Sequence, residues 1–246
     1  MVVGADIVQL VLGRRRRPEP RRPTQVGTHE GLAFALYVPD GEPIGGLVSL
    51  HGAGSTKESH LEFCRSACDW GIAAVAFDAR GHGASEGEFG AGAIDDVAAI
   101  SELLPSGPRA LRGSSMGGYI ALLAAPRLQA SAVVAICPAS ADGLLRGLRA
   151  NRWQFRADVP GLERFLHERS ALDAARALRA ALLLMHAEGD EQVPVEHSRE
   201  LLAAAGSERK RLIAPPGGHH RSVQHDAELQ GESLRFLQRE LKAAQR

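Results

Sequence analysis

Ser115 is the residue whose neighbours point most directly to chemistry. It lies in Gly113-Ser114-Ser115-Met116-Gly117, which matches Gly-x-Ser-x-Gly, between the apolar pair Ala110-Leu111 and an Ala/Leu-rich run that ends at Pro126. In such a strand–turn–helix unit, a tight turn holds the serine hydroxyl above the edge of a sheet, and the first N–H groups of the helix face its oxygen. The pattern predicts a nucleophilic serine, although a plain Gly/Ser turn between a strand and a helix remains an alternative.

The same pattern occurs a second time, at Gly83-Ala84-Ser85-Glu86-Gly87. That match lies inside a Gly-rich loop, and a polar stretch follows it where a helix would be needed. Since the motif has meaning only between a strand and a helix, we do not expect Ser85 to be a nucleophile.

A serine hydroxyl needs an adjacent base, and the base needs an acid that orients it. Late in the chain, acids and histidines follow two apolar stretches that read as strands. They are Glu188, Asp190 and Glu191 after residues 181–186, and His219 and His220 after residues 210–214. By position alone, any of the three acids and either histidine could serve.

Apolar runs alternate with helical patterns from residue 46 onward, which predicts an α/β fold with a mostly parallel central sheet and helices on both faces. The predicted strands are residues 32–38, 46–50, 72–77, 132–137, 181–186 and 210–214, and the predicted helices include 57–70, 93–104, 196–205 and 226–242. In such sheets ligands bind beyond the carboxyl ends of the strands. Every polar cluster named above follows a strand, so we expect the clusters to meet at one edge.

Taken with His51-Gly52 and with the loop Asp78–Ser85, these motifs resemble the α/β-hydrolase superfamily of serine hydrolases over about residues 28–242. The resemblance implies the α/β-hydrolase fold and a catalytic triad in the order nucleophile, acid, histidine. Its usual motifs match Asp190 within His186–Pro194 and His220 within Gly217–Arg221. The implied triad is Ser115, Asp190 and His220, with His219 as the alternative base.

The resemblance also assigns the surroundings of the triad. The backbone N–H groups of Ala53 and Met116 would form the oxyanion hole. A small cap insertion at about residues 139–170, here called the cap segment, would cover the pocket. Trp153 and Phe155 would either line an apolar substrate pocket or only pack within the cap.

The resemblance also implies that four polar residues of the early loops hold those loops in shape through hydrogen bonds and that none of them binds a metal. They are His51, Asp78, Arg80 and His82.

Composition bounds the other possibilities. The 246 residues fit one domain. Residues 1–27 are expected to form an N-terminal arm with an Arg/Pro-rich linker, and residues 28–246 are expected to form the hydrolase domain with its cap segment. Lys+Arg and Asp+Glu number 29 each and aromatic residues make up 4%, so no nucleic-acid partner is expected. No apolar run of about 18 residues is present, so no membrane span is expected. Only three cysteines occur, which suits free thiols in the cytoplasm.

The sequence therefore predicts a serine hydrolase that cleaves carboxylic esters or related acyl compounds, with a small-molecule acyl substrate and neither cofactor nor metal. An aminopeptidase, an acyl-peptide hydrolase or a thioesterase with the same triad is an alternative. A non-catalytic receptor or scaffold with this fold is a second alternative, and the oligomeric state stays open.

Overall fold

The computed structural model describes residues 20–246, which fold around one eight-stranded sheet. The strands are β1 (Gln25–His29), β2 (Leu32–Tyr37), β3 (Gly46–Leu50), β4 (Ala73–Phe77), β5 (Arg109–Ser114), β6 (Ala132–Ile136), β7 (Ala181–Met185) and β8 (Lys210–Ile213). Their order across the sheet is β1-β2-β4-β3-β5-β6-β7-β8. The strands β1 and β2 run antiparallel to their neighbours, and β3 to β8 pair in parallel. The predicted mostly parallel sheet is confirmed.

Helices connect the strands and cover the sheet. They are a 3₁₀ turn (Lys57–His60), α1 (Leu61–Asp69), α2 (Ala93–Ser101), α3 (Met116–Ala124), α4 (Ala141–Arg149), α5 (Val159–Glu168), α6 (Ala171–Ala177), α7 (Val195–Ala204), α8 (Ser222–His225) and α9 (Ala227–Ala244). None of the helices within residues 20–246 is both long and apolar enough to pass through a bilayer.

The sheet separates two hydrophobic cores. The core on one face includes side chains of α2 to α7, and the core on the other face includes side chains of α1 and α9. Successive strand residues alternate between the cores: Val48 and Leu50 face the first, and Leu47 faces the second. Because helices cover both faces, the central strands are buried along their whole length. This arrangement fixes the carboxyl ends of β3 to β7 relative to one another.

The fold differs from the sequence-based expectation at the start of the chain and in some short elements. The strand β1 begins at Gln25, before the expected start of the domain at residue 28, because it pairs with β2 as an edge strand. The short helices α6 and α8 are also additional. The larger part of the predicted N-terminal arm, residues 1–19, lies outside the described residues.

Candidate active site

Ser115 lies in the turn between β5 and α3, in a conformation that few side chains adopt. Its φ of 53° and ψ of −116° lie outside the regions favoured by L-residues. Three backbone hydrogen bonds hold the turn: Ser115 N–H donates to Ile136 O at 2.8 Å, and Ser115 O accepts from the N–H groups of Tyr119 and Ala139 at 3.0 Å. A strained backbone of this kind persists only where its surroundings enforce it, and it is concentrated at functional sites.

Two glycines permit the close packing at this turn. A Cβ on Gly113 would overlap the Gly117 carbonyl, and a Cβ on Gly117 would overlap the Leu50 carbonyl. The first and last residues of the motif are therefore glycine because β5, α3 and the end of β3 approach one another at backbone distance. The second match to the motif is different. Ser85 is buried in a loop, where its hydroxyl donates to Asp78 O and accepts from Ala33 N–H.

The two expected oxyanion-hole donors have no acceptor within the described part of the chain. Met116 N–H is the first of α3, so it has no partner inside the helix, and neither it nor Ala53 N–H donates to any other described group. Ala53 follows β3, whose carboxyl end lies beside that of β5. Both N–H groups therefore lie at the same edge of the sheet.

Asp190 and His220 form a direct pair. The loop after β7 carries Asp190, and the loop after β8 carries His220. The Asp190 Oδ2 to His220 Nδ1 distance is 2.7 Å. The Asp190 side chain is fully buried, and 9% of the His220 side chain is exposed. With Nδ1–H donated to the carboxylate, Nε2 is the basic nitrogen of the imidazole.

A second histidine supports the acid. His186 directly follows β7; its Nε2 lies 2.9 Å from Val193 O and 3.2 Å from Asp190 Oδ2, and its Nδ1 is 2.7 Å from Ser198 Oγ. The other carboxylate oxygen, Oδ1, accepts the backbone N–H groups of Gln192 and Val193 at 2.8 and 2.9 Å. Burial alone would raise the pKa of Asp190, but the side chains of His186 and His220 and the two backbone N–H groups outweigh it and hold that pKa far below its usual range.

Ser115 and His220 line one cleft of about 460 Å³ at the carboxyl edge of the sheet. The Ser115 hydroxyl makes no hydrogen bond to His220 or to any other group among residues 20–246. Catalytic hydrogen bonds are often long in a free enzyme and tighten in the substrate complex. The fold thus brings the three side chains to one site, with the acid–histidine contact formed and the serine–histidine contact open.

The neighbouring candidates have other contacts. His219 is exposed, and its ring Nδ1 accepts the backbone N–H of Arg221 at 3.3 Å. Glu188 pairs with Arg199 at 3.0 Å on the surface. The Glu191 carboxylate lies 3.3 Å from the His220 backbone N–H but makes no contact with its imidazole.

Trp153 and Phe155 occupy the connection between α4 and α5 in the cap segment. Trp153 lines the cleft and packs between Gly54 and Gly147, where a Cβ on Gly147 would overlap the indole. Phe155 stacks on His82 with ring centroids 4.2 Å apart and does not line the cleft. Of the two aromatic candidates, only Trp153 borders the space above Ser115.

The polar residues of the early loops make structural hydrogen bonds, as expected. His51 Nε2 accepts Ala79 N–H at 2.9 Å, while its Nδ1 donates to Gly52 O at 2.8 Å. The other three make comparable contacts. Asp78 accepts the backbone N–H groups of Lys57 and Ala84, Arg80 pairs with Asp96, and the Nδ1 of His82 lies 3.0 Å from Arg80 O.

Sequence reasoning missed two side chains at the site. His186 was expected only as the last residue of a strand and the first residue of the motif around Asp190, with no role of its own. Cys137, at the end of β6, lies with its sulfur in the same group as the Asp190 and His220 side chains, the three ligand atoms being within 4.8 Å of one another. Burial raises the pKa of the Cys137 thiol, so it is neutral, and the other two groups already bind each other. These facts favour a packing role over metal ligation.

A second serine–histidine contact lies behind the cleft and is enclosed. Ser49 Oγ lies 3.1 Å from His60 Nδ1, and Arg112 Nη1 lies 3.1 Å from the same nitrogen. Ser49, His60 and Arg112 are all at most 1% exposed, so none of them can reach a substrate.

Comparisons with known proteins agree with the fold described above. The family model described as serine aminopeptidase, S33, matches residues 41–163, half of the chain. Protein ABHD12B from Homo sapiens is 30% identical over 217 residues, which cover 76% of this chain and 58% of that protein. The chain thus spans little more than half of the length of that curated relative.

Solved structures share the fold at low identity. Monoacylglycerol lipase from Paleococcus ferrophilus is 21% identical with a TM-score of 0.67, covering 87% of this chain and 99% of that one. Est1E from Butyrivibrio proteoclasticus is 18% identical with a TM-score of 0.68, covering 91% and 100%. The serine turn, the topology of the sheet and the family match agree, and the chain belongs to the serine aminopeptidase S33 family of the α/β-hydrolase superfamily.

Proposed function

We propose that the protein is a serine hydrolase that cleaves carboxylic esters or related acyl compounds through an acyl-enzyme on Ser115. The observation that carries the proposal is the buried Asp190–His220 pair, whose imidazole lines the same cleft as a serine held at φ 53°. Two unengaged backbone N–H groups, of Ala53 and Met116, supply the further feature that acyl transfer needs. The family match favours the same class of chemistry.

In the proposed first step, Ser115 Oγ attacks the carbonyl carbon of the substrate and His220 Nε2 takes the hydroxyl proton. The carbonyl oxygen becomes an oxyanion that accepts the N–H groups of Ala53 and Met116. Loss of one such donor in a hydrolase typically costs about 3 kcal/mol of transition-state stabilisation. Asp190 keeps Nδ1 protonated and stabilises the imidazolium.

When the tetrahedral intermediate collapses, the bond to the leaving group breaks and His220 returns the proton to the departing oxygen. Water then attacks the acyl-enzyme carbonyl while His220 Nε2 takes a proton from it. The second collapse releases the acid and restores the Ser115 hydroxyl. These steps need only groups that this chain provides.

A peptidase activity is the second candidate, because the matched family model is described as serine aminopeptidase. An aminopeptidase must bind the substrate's free ammonium group, and an acidic side chain usually does so. Among the described residues lining the cleft there is no Asp or Glu, whereas Arg152 and Arg221 are present. This charge favours ester or thioester cleavage over removal of an N-terminal amino acid.

Kinetics on matched substrates test the proposal. We expect the wild-type protein to hydrolyse short 4-nitrophenyl esters measurably above background and to leave aminoacyl 4-nitroanilides intact. Ser115→Ala should abolish the ester turnover without changing the circular dichroism spectrum. Faster anilide than ester turnover would favour the peptidase, and turnover of neither class by folded protein would favour a receptor or scaffold. A matched acyl thioester in the same panel tests the thioesterase.

Two further features belong to this proposal. Residues 139–170 would act as the small cap over the cleft, since Trp153 borders the space above Ser115. A cytoplasmic location fits the three cysteines, all of which are buried free thiols.

A further inference from the structure

Two arginine side chains, those of Arg152 and Arg221, line the cleft beside Ser115. Arg152 follows α4 in the cap segment, and Arg221 directly follows His220, so the two guanidinium groups come from different parts of the chain. Asp and Glu are absent from the described residues of the lining. A cleft walled by charges of one sign raises the local concentration of ligands of the opposite sign.

Neither of these two guanidinium groups has a partner among the described residues. Across residues 20–246, the Arg152 and Arg221 side chains make no hydrogen bond or ion pair. Some other exposed arginines do pair with carboxylates, for example Arg149 with Glu163 at 2.9 Å and Arg199 with Glu196 at 2.7 Å. Both cleft arginines therefore keep their full set of N–H donors for a ligand.

The rest of the cleft lining is mainly polar. The apolar space next to the cleft is too small to be an open pocket. Gln154, Gln192 and Ser55 lie in the lining with the two arginines. Beyond Trp153, the space among the leucines of α4 and α5 is a void of only about 10 Å³, room for about one water molecule. A long alkyl chain has no open pocket here, whereas a charged polar group does.

We propose that the substrate carries an anionic group, a carboxylate or a phosphate, which Arg152 and Arg221 bind while Ser115 attacks the ester carbonyl. This inference rests on the proposed hydrolase function and names the substrate class of the same site. Planar guanidinium groups match carboxylate and phosphate oxygens in bidentate hydrogen bonds. The substrate class is thus a polar, negatively charged ester, with the anion on either side of the scissile bond.

Paired substrates of similar size that differ chiefly in charge test this assignment. One pair places the anion on the acyl side: the mono-4-nitrophenyl ester of adipic acid against 4-nitrophenyl heptanoate. A second pair places it on the alcohol side: 4-acetoxybenzoate against 4-acetoxybenzamide. A third compound, 4-acetoxyphenyl phosphate, distinguishes a phosphate from a carboxylate. We expect at least one anionic ester to exceed its neutral partner about tenfold in kcat/KM, with the advantage shrinking as salt is added.

Variants assign the preference to the two arginines. In Arg152→Gln/Arg221→Gln, kcat/KM for the preferred anionic ester should fall about tenfold or more relative to the neutral ester, mainly through KM. The charge-retaining Arg152→Lys/Arg221→Lys should recover part of the loss. Arg127→Gln is the matched control, because Arg127 is an exposed arginine beyond the far end of α3 from Ser115. It should leave the ratio unchanged.

The possible failures are distinguishable. Equal kcat/KM for charged and neutral esters in an active enzyme would overturn the anionic-substrate assignment and leave the proposed hydrolase intact. A preference that survives the double Gln variant would overturn the role of Arg152 and Arg221. Turnover of no ester at all by the folded wild-type protein would instead count against the hydrolase itself.

Discussion

At the scale of single residues, the carboxylate of Asp190 is held in place by several neighbouring groups. The Asp190 carboxylate accepts three hydrogen bonds, one from His220 and two from backbone N–H groups, and His186 Nε2 lies 3.2 Å from it. It is therefore held ionised and fixed in orientation. An ionised, immobile acid is what a histidine base needs in order to keep one tautomer and one direction.

Replacing this acid tests its assignment. Asp190→Asn should lower kcat for a good ester by about 10²-fold or more, because the amide cannot stabilise the imidazolium and can favour the wrong tautomer. KM should change little, because Asp190 is buried behind His220. Steady-state kinetics on the wild type and the variant measure both constants.

Two nearby acids provide matched controls. Glu188→Gln and Glu191→Gln remove carboxylates that share the loop after β7 but do not contact the imidazole. Each should retain kcat within a few-fold. A Glu188→Gln or Glu191→Gln variant as slow as Asp190→Asn would contradict our choice among the three acids.

Sequence could identify residues with a motif around them and could not identify residues that depend on long-range packing. The Gly-x-Ser-x-Gly pattern singled out Ser115, and the family motif selected Asp190 among three acids that position alone left open. The structure brings Asp190 and His220 into contact. Cys137 carried no signal, because it is the ordinary end of a buried strand until the fold places it against Asp190, and the motif that begins at His186 did not show that its imidazole contacts Asp190. For the same reason, the sequence could not predict that the guanidinium groups of Arg152 and Arg221 have no partner among the described residues. Which side chains pair depends on the folded surface.

At the scale of elements, the site depends on backbone contact between β5, α3 and β3. Gly117→Ala places a methyl group against the Leu50 carbonyl, and the backbone there has no freedom to retreat. We expect this variant to lose about 2 kcal/mol or more of unfolding free energy. Urea denaturation measures the change.

Gly41→Ala is the matched control, since a Cβ at that position meets no atom within 4 Å. It should shift the unfolding free energy by no more than about 0.5 kcal/mol. If Gly117→Ala were as stable as Gly41→Ala, the close approach of β3 and α3 would be wrong.

The long strands and helices could be predicted from their hydrophobic pattern, because packing against the two cores requires that pattern. The strand predicted at 46–50 and the helix predicted to start at residue 93 coincide with β3 and with the start of α2. The edge strand β1, Gln-Val-Gly-Thr-His, has no apolar alternation, because it is mostly exposed and forms through pairing with β2. The four-residue helix α8 is too short to show a period.

At the scale of the whole molecule, buried neutral histidines link stability to pH. Burial, with a smaller effect of nearby His51, lowers the pKa of His82 from 6.5 to about 4. Burial also lowers the pKa of His51 and, with the charge of Arg112, that of His60. The unfolded chain therefore takes up protons below pH 6.5 that the folded chain refuses, so folding stability falls as the pH drops from about 6.5 to 4.

His82→Phe isolates one of these contributions. Phenylalanine can keep the ring stacking on Phe155 and removes the titration. Between pH 7 and pH 5, the wild type should lose about 2 kcal/mol more unfolding free energy than the variant. Urea denaturation at both pH values gives the comparison, and parallel losses in the two proteins would contradict a depressed His82 pKa.

The most direct test of the central claim is covalent labelling with a fluorophosphonate, followed by mass spectrometry of the tryptic peptides. We predict one adduct, on Ser115, that disappears in Ser115→Ala and persists in Ser85→Ala, with slower labelling in Asp190→Asn. An adduct on another serine, or a folded wild-type protein that takes up no label, would contradict a nucleophile at Ser115 activated by the Asp190–His220 pair.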